Sequence, residues 1–120
     1  MGWYYSAEAE YRLLRAEKGR SSESIQRYLQ EATKLDPDDW RAPLLSGKVL
    51  LEQERRVEAL DEFRKAVARN PDEPAAHYLL ATTLRELGKV DESKSAFATF
   101  KRAQANEKNR QLRRMLVDIR

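Results

Sequence analysis

Residues 40–71 read WRAPLLSGKVLLEQERRVEALDEFRKAVARNP, and the chain from there as far as Ala105 repeats their grammar. Pro37 recurs as Pro71, Ala32 as Ala66, Leu50 as Leu84 and Phe63 as Phe97, each pair 34 residues apart. Leu44, Leu45, Leu50 and Leu51 mark one apolar face. After Arg55-Arg56, Val57, Leu60, Phe63 and Val67 mark another, with Ala59 and Ala66 beside them. Recurrence every three or four residues is the period of an amphipathic helix, so the unit predicts two helices joined by a short turn. Asp38 and Asp39 offer caps and negative charge at the first helix start. Pro43 falls in the first turn, where a missing N–H costs little. Asn70-Pro71-Asp72-Glu73-Pro74 punctuates the unit, with Pro74 suited to a first helical position.

Outward from this unit the pattern holds on both sides. Leu79, Leu80, Ala81, Leu84 and Leu87 predict a helix that Gly88 ends. Asp91 and Glu92 open the next, which is expected to bury Ala96, Phe97 and Phe100. Upstream, Trp3, Tyr4, Ala7, Tyr11 and Leu14 predict a helix as far as Lys18. Gly19 stops it, and Ser21 or Ser22 caps a second helix carrying Ile25, Tyr28, Leu29, Ala32 and Leu35. Met1-Gly2 reads as an artificial beginning, so the chain is expected to be a piece of something longer.

Gly47, Ala59, Phe63, Ala66 and Pro71 stand at the offsets of a known 34-residue signature, W-x2-L-G-x2-Y, then A-x3-F, then P. The chain thus resembles the tetratricopeptide repeat (TPR) family. The resemblance implies an all-α, right-handed α-α superhelix of about seven antiparallel helices, in three repeats over approximately residues 3–37, 38–71 and 72–105, closed by a helix over approximately 106–119. The first repeat fits less tightly: Gly19 lies 18 residues before Pro37, and Ile25 and Leu29 stand where Ala and an aromatic are expected. Ala105 stands where the family places proline, so nothing forces the last helix of the third repeat to stop. Leu112, Met115, Leu116 and Ile119 are expected to cover the bare apolar face of that repeat. A homodimer seam is the alternative.

Composition narrows the function classes. The chain has 120 residues, 36% of them charged and 41% hydrophobic, with no cysteine, which removes disulfides, thiol catalysis and zinc knuckles together. No apolar run reaches the ~18 residues of a membrane span, and no signal-peptide pattern opens the chain. A soluble, cytoplasmic protein is expected. His77 is the only histidine, and it falls where the family's bulky packing residue sits; without partners at metal-ligand spacing it is expected to pack. No glycine-rich phosphate loop is present, and the carboxylates alternate with Lys and Arg as on solvated helix faces. No enzyme, cofactor or metal site is expected.

Function is therefore expected on a surface. The resemblance implies a protein-interaction scaffold that holds a peptide or a partner's helix in the concave groove lined by the first helix of each pair. Its residues would be Arg41, Leu44, Lys48 and Leu51, then Ala75, Tyr78, Thr82 and Arg85, with Glu10, Leu14 and Glu17 as additions from the first repeat. One branch of the family grips a C-terminal carboxylate with a clamp of Lys, Asn and Arg. Here those places hold Glu10, Leu14, Leu45, Ala75 and Leu79, so that clamp is absent. Residues 101–120 carry seven basic side chains, Arg110, Arg113 and Arg114 among them, against two acidic ones, a net of +5. Without an aromatic after Phe100, this tail argues against nucleic acid. The alternatives are regulatory service within a larger enzyme or assembly, or weak nucleic-acid binding through this basic helix.

Overall fold

The computed structural model describes residues 2–16 and 22–118. Six helices succeed one another: α1 (Trp3–Ala16), α2 (Glu23–Leu35), α3 (Arg41–Glu52), α4 (Arg56–Arg69), α5 (Pro74–Glu86) and α6 (Val90–Asp118). The described residues contain no strand. The helices pair as three hairpins, α1 with α2, α3 with α4 and α5 with α6, stacked through α2 and α1 on α3 and through α4 on α5.

The repeat written in the sequence is also written in the backbone. At the turn after α3, Glu54 N–H donates to the Leu51 carbonyl at 3.0 Å and Arg55 N–H to that of Leu50 at 2.9 Å. Thirty-four residues on, Gly88 and Lys89 donate to Arg85 and Leu84 at the same two distances. This closure satisfies end carbonyls and requires a left-handed residue. Gly88 supplies it at φ +80°, and Glu54 occupies the same place at φ +60° despite its Cβ. Between hairpins, Asp36 and Asn70 each accept a bond from the N–H two residues ahead at 3.2 Å. Asp39 and Glu73 do the same for Arg41 and Ala75, opening α3 and α5.

Three apolar clusters run along the stack. Ala7, Ile25, Leu29, Ala42, Leu45 and Val49 join the first hairpin to α3. Leu44, Ala59, Phe63, Ala66 and Ala76 join the second hairpin to α5. Leu60, Ala81, Leu84 and Ala96 close the third. Ile25 and Leu29 are both buried, so the first repeat fills its core with aliphatic side chains at the places where the family signature differs. Phe63 has no exposed surface, and Gly47 makes room for its ring. In the third repeat Ala81 and Phe97 take those places, and Phe97 is half-buried, with no later hairpin over it among the described residues.

The structure corrects one expectation about the end of the chain. Among the described residues there is no separate seventh helix: α6 is one unbroken helix of 29 residues, against 13 in α5. Neither proline nor glycine interrupts residues 90–118, so the backbone has no reason to turn. At 1.5 Å per residue α6 is about 43 Å long and its distal half projects beyond α5. Leu112, Met115 and Leu116 are 56%, 62% and 64% exposed, so they cover nothing on the third repeat. Ile119 lies outside the described residues, as do Gly19 and Ser21. Ser22, the residue before α2, caps nothing with its side chain; its hydroxyl instead accepts a bond from Gln53 at 2.8 Å, tying the first hairpin to the second. Among the described residues no helix is long and apolar enough to cross a membrane.

Candidate functional site

The expected groove residues fall on one stripe of α3 and one of α5, because positions three and four apart share a helix face. The structure gives them different employment. Leu44 is 5% exposed and packs in the cluster around Phe63, Ala59 and Ala76. It belongs to the core and leaves the surface set. Leu51 is half-buried against the same cluster.

Arg41 is also committed internally. Its Nε donates to both Asp39 carboxylate oxygens at 3.0 and 3.2 Å, and Nη2 donates to Oδ2 at 2.8 Å. Its guanidinium lies 4.6 Å over the Tyr4 ring, joining α3 to α1. The side-chain bond from Arg41 holds the Asp39 carboxyl below its ordinary value, assisted by the Arg41 backbone N–H and the nearby positive charges of Arg41 and Arg69, against some loss of solvation. Arg41 is thus a fastener between helices before it is a contact for anything else.

Lys48, Tyr78, Thr82 and Arg85 remain at the surface. Tyr78 is 47% exposed, its ring edge-on to Phe97 at 6.2 Å and tilted against Phe100 at 5.3 Å. Arg85 places its guanidinium 5.5 Å over the Phe97 ring of this group. Thr82 donates its hydroxyl to the Leu79 carbonyl at 3.1 Å, leaving its methyl group for contact. Lys48 is half-buried, and neither it nor Arg85 has a carboxylate partner among the described residues. An aromatic ring braced by two others loses little freedom on contact, and a cation held beside a ring is ready for an acidic group. Of the first-repeat additions, Glu10 is half-buried, the Leu14 side chain is not among those described, and Glu17 lies outside the described residues.

The basic tail does not join this surface. Arg110 pairs with Glu107 at 2.7 Å, one turn away on the same helix, while Arg113 and Arg114 are exposed on the projecting part of α6. His77 is buried, and its Nε2 N–H donates to the Pro71 carbonyl at 2.6 Å, which fixes the turn between the second and third hairpins. Ser93 is likewise buried and donates to the Ala81 carbonyl at 2.9 Å, fastening α6 to α5. Among the described residues no group of three metal-ligating side chains converges.

A second concavity escaped the sequence. Between α2 and α4, over a floor of Leu29, Ala42 and Pro43, lies an open groove of about 490 Å³ walled by Gln26, Gln30, Thr33, Lys34, Glu62, Lys65 and Arg69. Its cations are engaged: Lys34 with Glu31 at 3.1 Å, Lys65 with Glu62 at 3.0 Å, and Arg69 with the Asp39 carbonyl at 3.2 Å. The wall residues have the look of solvated helix faces in sequence, and only the spacing of α2 from α4 makes them a groove.

Comparison with known proteins agrees with the repeat architecture. Two family models, both described as tetratricopeptide repeat, match residues 50–116 and 13–74. Among solved structures, MamA AMB-1 superposes with a TM-score of 0.67 at 17% identity over 83% of this chain. MamA MSR-1 does so with a TM-score of 0.63 at 19% identity over 86%. The chain spans about half the length of these relatives, 51% and 53%. No curated protein matches it. At such identities the structures speak for the fold, but the family models cover more than half of the sequence each, and the chain belongs to the tetratricopeptide repeat family.

Proposed function

We propose that this chain is a non-catalytic protein-interaction module that holds an extended peptide or a partner's helix against the first helices of the second and third hairpins. The observation that carries the proposal is the half-exposed Tyr78, backed by Phe97 and Phe100 and flanked by Arg85. Braced aromatics of this kind supply most of the energy at interfaces, while exposed charges select and orient partners. Lys48 and Arg85, without acidic partners of their own, favour acidic or carboxylate-bearing segments. Leu51 and Thr82 complete the surface, and Leu44 supports it from below.

Selection of a peptide from a displayed library on the immobilised chain tests this. The selected sequences should be rich in Asp or Glu around an apolar anchor, and Tyr78→Ala should weaken them by about 1 kcal/mol or more. Lys48→Glu with Arg85→Glu should weaken them further at low salt than at high salt. Peptides that bind all three proteins equally would move the site elsewhere.

A further inference from the structure

The distal half of α6 presents an apolar stripe with no cover. Leu112, Met115 and Leu116 lie three and four residues apart on one side of the helix and are more than half exposed. They do not continue the face that packs on α5. At about 100° per residue, that face, marked by Ala96 and Ala103, lies on average roughly 90° or more round the helix from them. Instead they run on from the edge of that face, where Phe97 meets Tyr78, and Lys101 and Lys108 fall between along the same side. Both lysines are exposed, and neither has a carboxylate partner among the described residues.

What covers the stripe can be argued from size and charge. A further hairpin stacked as α5 stacks on α4 needs a small residue at the crossing, as Ala66, fully buried, provides in the second repeat. Phe100 stands in that place in the third, where no such small residue is offered to a further helix. A second copy of this chain would set one tail of net +5 against another. An acidic helix meets both requirements: its apolar ridge covers Leu112, Met115 and Leu116, and its carboxylates reach Lys101 and Lys108.

We infer that α6 carries a second docking surface, separate from the one centred on Tyr78, for an acidic amphipathic helix of a partner protein. The probe is a three-heptad helical peptide with leucine at its a and d positions and glutamate at e and g, compared by fluorescence anisotropy with the same peptide carrying lysine at e and g. The glutamate peptide should bind at least tenfold more tightly than the lysine peptide, and less so in high salt. Leu112→Ser with Leu116→Ser should cost tenfold or more, Lys101→Glu with Lys108→Glu should reverse the preference, and Tyr78→Ala should leave it unchanged. Binding lost only in Tyr78→Ala would assign the peptide to the other surface and overturn the inference. So would equal binding of both peptides, self-association of the intact chain that Leu112→Ser with Leu116→Ser abolishes, or binding of duplex nucleic acid or anionic vesicles through the same residues in preference to the glutamate peptide.

Discussion

Gly47 and Phe63 are fitted to each other: a Cβ on Gly47 would lie 2.7 Å from Cδ1 and 2.9 Å from Cζ of the Phe63 ring, and closer still to Cε1. The ring cannot step aside, because it is wholly buried among Leu44, Ala59, Ala66 and Ala76. Alanine at 47 would gain about 1 kcal/mol in helix propensity. Overpacking a filled core costs about 1 to 3 kcal/mol, so the clash outweighs the gain. Gly47→Ala should therefore lower the melting temperature, and adding Phe63→Leu should recover part of the loss. Phe63→Ala alone should cost roughly 3 to 5 kcal/mol. Additive losses in the double variant would show that the two residues are not coupled.

The turn after α3 predicts a gain. Glu54 holds φ +60° where its counterpart Gly88 holds +80°, with the same pair of backbone bonds at each turn. A left-handed residue with a Cβ carries about 1 to 2 kcal/mol of strain that glycine avoids. Glycine offsets part of this by loosening the unfolded chain, so Glu54→Gly should stabilise by about 1 kcal/mol or somewhat less. Gly88→Ala should destabilise by a similar amount, although nothing lies within 4 Å of the added Cβ. Chemical denaturation of the two variants checks both signs, and a Glu54→Gly protein less stable than the parent would refute the account.

Asp39 gives the chain an acid-sensitive joint. Its folded-state carboxyl titrates below the ordinary 3.8, so the unfolded chain binds the proton more readily. The stability it contributes is fully present above that ordinary value and disappears as pH falls through the lower folded one. Asp39→Asn should cost about 1 kcal/mol at neutral pH. The difference between variant and parent should shrink on acidification below about pH 4. A difference that stays constant from pH 7 to pH 2 would show that the carboxylate does not act through its charge.

The projecting end of α6 should be dispensable for stability. Leu112, Met115, Leu116 and Val117 are exposed, so removing the chain beyond residue 110 uncovers no core among the described residues and should change stability by less than about 0.5 kcal/mol. Thermal melting and sedimentation of the shortened chain measure this. A loss above about 2 kcal/mol, or aggregation, would mean that the tail does pack on the third repeat.

The legible part of this molecule was whatever a 34-residue period controls. Pro74 opening α5, Gly88 ending the turn before α6, and Phe63 at the centre of the stack all come from residue type at a fixed offset. Glu54 was not legible as a left-handed residue, since only its equivalence to Gly88 marks it. Leu44 and Tyr78 share an offset in successive repeats, yet Leu44 is buried and Tyr78 is half-exposed. Their neighbours in space make the difference: the third hairpin packs over the second, and among the described residues no later one packs over Phe97 and Phe100. The tail misled for a related reason. Its apolar spacing is helical, but spacing does not say whether a helix turns back or runs straight, and the missing proline decided for the latter.

Asp39 fastens one joint of the stack in a way the other lacks. Its carboxylate binds Arg41, Arg41 rests on Tyr4, and its carbonyl takes a bond from Arg69, so α1, α3 and α4 meet on one residue. At the next joint Glu73 caps α5 but faces Ala75 where Arg41 would be; His77 holds the turn, and the ion pairs that cross from α4 to the third hairpin, Arg56–Glu86 and Arg64–Glu92, are exposed. Exposed pairs weaken in salt, whereas the fastened arginine is less screened. The two joints thus answer differently to salt. The more salt-sensitive one lies beneath Lys48 and Tyr78, so we expect small-angle scattering to show the curvature there relaxing as ionic strength rises.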